Sequence, residues 1–445
     1  PKSEKLKYKI EQGREEINSI GGICLIGRIL NELKQFESIN NMKMPQTQKG
    51  LIPHGDILKS MIGLYSLGKT DYADIELYRE DVVFSESLRL KTVPSEESLR
   101  QRLDESGEVL TDEVRHCNLN LLEKVKEFGT LKTPYTNYTP IPMDVTVMDN
   151  SGSNKEEVGR TYKGNDGFAP MNAYIGTHGY LLNCELRPGV QHSQKGMKEF
   201  LLQTIEMIDH LGIDNALHVL DSAHDAAVNI DIFLEKCKNF IIKRNLRKES
   251  LEQWLGTARR VGECNKPRPG KNVFTGVLSH KRPSKCKSDK PLFTVFEVIE
   301  RTTDANGEPF LIPNIEVNTW WTNIPDDAPY IIDFYHQQGT SEQFHSELKT
   351  DMNIERLPSG KFSTNALLLQ LAMIAYNSLR ILGQKALTFK DKLPVKLNVT
   401  RRRLRSVIQD LMYIACKRVS HANSIILKFG RNCPWFDVFR QLYVT

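Results

Sequence analysis

The sequence predicts an α/β protein: a mixed sheet flanked by helices, with a β-rich insertion and helical N- and C-terminal regions. Three observations carry this. Between residues 141 and 243, alternating β-branched segments and segments of helical periodicity follow one another as three strands, helix, strand, helix, strand, the order of a layered α/β domain. From 245 to 330 that rhythm lapses, and Pro267, Pro269, Pro283 and Pro291 punctuate short strands such as 292–299. On either side, over 1–130 and beyond 331, apolar residues recur at helical spacing.

Within the first 130 residues, 26–36 and 54–67 each carry a helical apolar stripe, the second through Ile57, Leu58, Met61, Ile62 and Leu64. Ser95 is placed to cap a helix whose stripe opens at Ser98 and Leu99, and 110–128 continues it. Residues 133–140, Thr-Pro-Tyr-Thr-Asn-Tyr-Thr-Pro, have the composition of a linker. A strand is expected over 141–148, short strands over 158–163 and 172–176, and a stronger one over 180–187, with His178-Gly179 as the turn between the last two. Helix 196–211, strand 216–221, helix 226–237 and strand 240–243 follow. Helix resumes at 333 and runs through 351, and a very apolar helix over 365–382 is expected against the sheet. The last 55 residues read as helical and basic. The divisions are therefore 1–130, a discontinuous core of 136–245 and 331–385, an insertion of 246–330, and a C-terminal region of 386–445.

The apolar fraction of 40% and charged fraction of 26% are those of an ordinary globular protein. No run of 18 apolar residues suggests a membrane span, and the opening Pro-Lys-Ser-Glu-Lys-Leu-Lys-Tyr has no apolar core of the signal-peptide kind, so a cytoplasmic setting is expected. The eight cysteines are scattered without a Cys-x-x-Cys pair, as reduced thiols would be; Cys264, His280 and Cys286 have irregular spacing for zinc and lack an obvious fourth ligand. The net charge is only +5, but residues 243–290 hold fourteen Lys and Arg against four Asp and Glu, and 390–445 hold twelve against three. Two basic blocks on an acidic body suggest a polyanionic partner, against the ordinary alternative of two solvated loops.

The chemistry-bearing candidates are acids. Asp144 lies mid-strand in an apolar segment, where a carboxylate is costly unless paired or bound to metal. Asp221 ends a candidate central strand, the end at which α/β sheets bind ligands. Read as one helix, Tyr335, Gln338, Glu342 and Lys349 stand at offsets of 0, 3, 7 and 14 and share a stripe within roughly 60°. Each acid also admits an ordinary role: Asp144 as a strand residue paired with a lysine, Asp221 as a cap for the turn after it, Glu342 as a surface partner of His345. Asp149, Asp225 and Glu347 are the nearest competitors. Two strand-borne aspartates and a helix-borne glutamate form an oxygen-only donor set suited to two Mg2+ ions, with Mn2+ as the alternative.

On these residues the chain resembles the D-D-E transposases of bacterial insertion sequences. The family's first acid sits in a strand as Asp-x-Thr, here Asp144-Val-Thr146, and its second in a strand-end Asp-Ser motif, here Asp221-Ser222. Its third sits in a helix spelled Tyr-x-x-Arg-x-x-x-Glu-x-x-x-x-x-x-Lys, where Tyr335, Glu342 and Lys349 match in spacing. Residues 174–192 are similar to the family's second and third core strands, and the 121-residue separation of Asp221 and Glu342 resembles the branch with a β-strand insertion there. One departure stands out: Gln338 replaces the family's arginine, exchanging a bidentate charged grip on phosphate for a neutral amide.

The resemblance implies a ribonuclease-H-like core and a metal-dependent enzyme in which Asp144, Asp221 and Glu342 are both catalytic residues and metal ligands. It implies cut-and-paste transposition: binding of terminal inverted repeats by 1–130, pairing of two ends in a homodimeric synaptic complex, cleavage, and attack of the freed 3′-hydroxyl on target DNA, with a hairpin at the transposon end as a further step. Its double-stranded DNA contacts fall to Tyr335, Gln338 and Lys349, to Arg187, His192, Lys243 and Arg244, and to Trp320 or Trp321 stacking on a flipped base, with strand alternation facing one indole inward and the other out. The expected setting is the bacterial nucleoid, with no membrane. Two other readings remain open: a transposase-derived DNA-binding protein with impaired catalysis, and a metal-dependent DNA nuclease without strand transfer.

Overall fold

Ser95 caps the longest N-terminal helix as its position predicts, its hydroxyl accepting the Ser98 N–H at 3.2 Å. The computed structural model describes residues 8–44, 52–279, 282–337, 339–422 and 424–445, so Gln338 and His280 lie outside the described residues. Helices α1 (Ile23–Asn31), α2 (His54–Ser66) and α3 (Glu96–Leu122) dominate the described part of the first 130 residues. Leu99, Leu103, Leu110, Val114, Cys117 and Leu121 form the buried stripe of α3.

The core sheet begins with β1 (Asn137–Val145), β2 (Met171–Ile175) and β3 (Tyr180–Glu185), an antiparallel meander. Helix α4 (Met197–His210), β4 (Ala216–Leu220), α5 (Ala227–Glu235) and β5 (Asn239–Lys243) follow, with β4 parallel to both β1 and β5. The order β3-β2-β1-β4-β5 is the expected ribonuclease-H-like mixed sheet. Residues 137–140 are strand rather than linker. Two prolines in a central strand argue against pairing on sequence alone. Here Thr139 donates its N–H toward β4, at Asn215 O, so Pro140 and Pro142 fall on the other edge, where the ladder to β2 starts only at Met143.

The insertion contains α6 (Leu251–Val261) and strands β6 (Glu263–Arg268), β7 (Lys271–Leu278), β8 (Phe293–Thr303) and β9 (Pro309–Thr322). It is continuous with the core sheet: β9 pairs antiparallel with β5, Lys243 opposite Trp320, and β8, β7 and β6 follow outward. Trp254, Leu255 and Ala258 of α6 pack on Phe274, Phe296 and Val298 as a separate small core.

After β9 the chain forms α7 (Ala328–Gln337) and α8 (Thr340–Ser346), then a π-helical turn, Glu347–Asp351. The single regular helix expected over 333–351 is interrupted by a turn at Gly339 and becomes π-helical from Glu347, so Tyr335 lies on α7, Glu342 on α8 and Lys349 on the π turn. Helix α9 (Phe362–Thr388) is long and apolar enough to cross a membrane, but 89% of its most apolar window is buried inside the protein. It packs against α2, α3 and β3, and Gly107 of α3 admits its first turn: a Cβ there would meet the Ser363 and Thr364 backbone at 2.8 Å.

The C-terminal region is not wholly helical. It contains a hairpin, β10 (Cys416–His421) and β11 (Ser424–Phe429), before α10 (Phe436–Val444), and Ile17–Asn18 adds a third strand to it. The alternation of Val419, Ile425 and Leu427 with polar residues suits strand better than helix. The N-terminal helices, α9 and the C-terminal region share one hydrophobic core with the β2–β3 hairpin.

Candidate active site

Register brings the two aspartates together. Met143 of β1 is paired with Leu220 of β4, so Asp144 and Asp221 are the next residues along two adjacent parallel strands, a lateral step of about 4.8 Å. Ile242 pairs with the same Leu220, which sets Lys243 beside Asp221, and Asn172 flanks Asp144 on the other side. Alternation points these side chains to the sheet face of Val219 and Ile241, which α7 covers, while Met143, Leu220 and Ile242 face the core under α4 and α5.

The Asp144 carboxyl is pushed up to about 7, first by burial, then by Asp221, with Glu342 adding to the effect. Its Oδ1 accepts the Val145 N–H at 2.8 Å, and its Oδ2 lies 3.8 Å from Nε2 of the buried His345. Burial also raises the Asp221 carboxyl, opposed by the Ala223 N–H and by Lys243. Asp221 does cap the turn after β4, its Oδ1 accepting from Ala223 N at 3.1 Å, while remaining at the rim beside Asp144. Nε2 of buried His224 stands 3.7 Å from that Oδ1. Both imidazoles are held neutral by burial, His345 at about 3 and His224 at about 4.

Glu342 reaches the same field from α8, exposed and without an ion pair among the described residues. The helix is seated by Phe344, whose ring lies against Gly179 in the β2–β3 turn: at φ +68°, a Cβ on Gly179 would meet that ring at 2.4 Å. Tyr335 of α7 packs on Trp320, with the Lys243 ammonium 5.8 Å from its ring centre. Burial, followed by Asp221 and Asp144, keeps its phenol protonated well above the ordinary range. Lys163, from the loop between the short strands Gly159–Arg160 and Asp166–Phe168, adds a positive charge that opposes the rise at Asp144.

The competing acids are engaged elsewhere. Asp149 accepts from Ser151 N at 2.9 Å, Asp225 from Trp321 Nε1 and Asn245 N, each at 2.9 Å, and buried Glu347 is gripped by Arg380 and Arg401. Several residues expected to touch DNA are engaged internally too. Arg187 is 2% exposed, pairs with Glu185 at 2.7 Å and donates to Ser193 O and Gly196 O. Arg244 pairs with Glu249 and lies 4.4 Å over the Trp321 ring. Lys349 turns back to Val147 O at 2.8 Å and sits 3.5 Å from Glu355.

Trp320 and Trp321 do point to opposite faces and both indoles are buried, Trp320 under α7 and Trp321 beneath the Arg244 guanidinium in the wall of the cleft between core and insertion. His192 is exposed, and Lys243 and Tyr335 belong to the acid pocket. His345 is not a surface partner of Glu342: it is turned inward against Tyr174 and Asn172. Its position one helical turn after Glu342 was the available sequence signal, together with the alternation that places Asn172 and Tyr174 on one face.

The donor set fits a hard divalent cation by its chemistry: carboxylate oxygens, one of them on a carboxyl that burial and then its acidic neighbours push toward its neutral form. Among the described residues, no three Asp, Glu, His or Cys side chains stand close enough to ligate one ion as they are, and the Glu342 side chain is exposed.

A family model described as transposase DDE domain group 1 matches residues 2–445. No curated protein matches the chain. Among solved structures, a piggyBac transposase synaptic complex with hairpin DNA, determined by cryo-EM, aligns with 11% identity over 89% of this chain and 80% of that one, at a TM-score of 0.41.

Proposed function

The chain belongs to the DDE transposase family, group 1, and from that premise we propose that it is an active cut-and-paste DNA transposase whose acids are Asp144, Asp221 and Glu342. The observation that carries the assignment is the strand register that makes Asp144 and Asp221 lateral neighbours, with Asp144 driven toward its neutral form by burial and by the other two acids. Such an arrangement is unfavourable for the empty protein and favourable for one holding cations.

In this reading Asp144 and Asp221 hold Mg2+, or Mn2+, at the strand rim, and Glu342 closes the site from α8. Bound there, the ions supply Lewis acidity at the scissile phosphodiester and a nucleophile at neutral pH. The chain's own groups orient the DNA: Lys243 and Lys163 lie beside the acids and suit flanking phosphates, and the Tyr335 ring walls the pocket. Between the core and the insertion a cleft of 920 Å³ is lined by exposed Arg247, Lys248 and Lys285, a course for a second stretch of backbone. Residues 1–130 serve end recognition, 386–445 add contacts or a dimer surface, and two protomers pair the ends. A stacking role for Trp320 or Trp321 is not part of the proposal, since both are buried.

Matching inverted repeats in the DNA flanking the gene would supply the substrate. Labelled ends, Mg2+ and a target plasmid then test the reading: wild type cuts and joins, while Asp144→Ala, Asp221→Ala and Glu342→Ala bind the end without cutting it. Full cleavage by all three variants sinks the assignment, cutting without joining makes the protein a nuclease, and end binding without cutting by wild type makes it a binding protein.

A further inference from the structure

His345 is 6% exposed and stands one turn beyond Glu342 on α8, with its two ring nitrogens in different surroundings. Nδ1 faces the Tyr174 hydroxyl at 3.1 Å and the Asn172 side-chain amide nitrogen at 3.4 Å. With the Asn172 amide nitrogen oriented toward it as a donor, Nδ1 is the acceptor and the ring hydrogen goes to Nε2. Nε2 has no hydrogen-bond partner, and its neighbour is Oδ2 of Asp144 at 3.8 Å. The carboxylate, an acceptor only when ionised, calls for the same tautomer. Asn172 is the cross-strand partner of Asp144, so ring and carboxylate are referenced to one pair of strands. At His224 neither ring nitrogen has a hydrogen-bond partner, so nothing comparable fixes its tautomer.

We propose that His345 is a positioning residue for Asp144: its Nε2–H is aimed at Oδ2 and donates to it in the cation-bound protein, orienting the remaining lone pairs of the carboxylate toward the ion. Because His345 and Glu342 share α8, the same contact sets how near Glu342 is carried to the rim. Ligating carboxylates are generally held by such outer hydrogen bonds, and losing one typically costs about 10–100-fold in metal affinity. The proposal rests on the three-acid reading above.

The probe is Mn2+ alone, titrated into DNA-free protein and followed by calorimetry, with wild type, Asp144→Asn, His345→Leu and His345→Gln compared. Wild type binds, Asp144→Asn loses binding, His345→Leu weakens it about 10–100-fold, and His345→Gln, which keeps a donor near the Nε2 position, stays within about threefold of wild type. Wild-type affinity in His345→Leu overturns the positioning role alone. No binding by wild type, or undiminished binding by Asp144→Asn, overturns the three-acid reading instead. Should His345→Leu fail to fold, nitrogen-15 spectra of the wild-type imidazole decide: Nε2 protonated, Nδ1 bare and a Mg2+-dependent shift at Nε2 are expected, and an Nδ1–H tautomer or a ring indifferent to Mg2+ overturns the proposal.

Discussion

Asp144 and Asp221 sit on hydrogen-bonded strands, whereas Glu342 rides on a seven-residue helix set off from α7 around Gly339 and followed by a π-helical turn. The strand rim fixes the spacing of its acids and thereby stores their repulsion. The helix stores little, because Glu342 is exposed, and its placement depends on side-chain anchors instead: Phe344 on Gly179, the Arg401 guanidinium 4.7 Å over Phe344, and Glu347 between Arg380 and Arg401. A site of this kind has one rigid jaw and one adjustable jaw, and π turns often occur where a helix serves such a purpose.

The largest test of the comparison is chemical. Asp144→Asn, Asp221→Asn and Glu342→Gln should each lower Mg2+-dependent end cleavage by at least about 1000-fold, roughly 4 kcal/mol of barrier, with end binding kept. Cleavage by Glu342→Gln at the wild-type rate would remove the adjustable jaw from the mechanism. Next comes the anchor: Arg380→Met leaves Glu347 buried beside Arg401 alone and should cost about 3–5 kcal/mol in urea unfolding, part of which Glu347→Gln added to it restores.

Smaller again is the pH dependence of the metal-free protein. The folded-state pKa of Asp144 is raised to about 7, so its contribution to stability is complete below its unfolded value near 4 and is lost as pH rises through 7. Metal-free stability should therefore fall by roughly 1–2 kcal/mol between pH 4 and pH 8, after allowance for solvent screening. Asp144→Asn should flatten that slope and Glu342→Gln leave it nearly intact; equal effects would erase the distinction between the jaws. The smallest effects belong to neither jaw: Arg247→Ala, Lys248→Ala and Lys285→Ala should each reduce the slope of log binding against log salt by about 0.9 while leaving the cleavage rate of bound ends unchanged.

Legibility in the sequence divides along the same line. The rim was readable because strand alternation and an acid in an apolar run are local signals: Asp144 and Asp221 announce themselves within five residues. The coupling between them comes from pairing across 77 residues and had no local trace. The helix was misread as continuous because the stripe from Tyr335 to Lys349 passes over Gly339 without losing its period. Charge was legible only in sum. Of the twelve Lys and Arg in the C-terminal basic block, Arg401, Arg402, Arg403, Lys417 and Arg418 pair with Glu347, Asp410, Asp351, Glu15 and Glu86, four of them far away in the chain. The tryptophan pair was assigned opposite faces correctly, but nothing local says that both indoles are buried.

The join between β9 and β5 has a consequence for anyone wishing to trim or exchange the insertion. It is not a detachable module. Excising it would turn β5, the strand beside Asp221, into a naked border whose unpaired N–H and C=O groups recruit strands from other molecules. A graft that shifted β9 by a single residue would turn Trp320 away from Tyr335 and put Trp321 in its place.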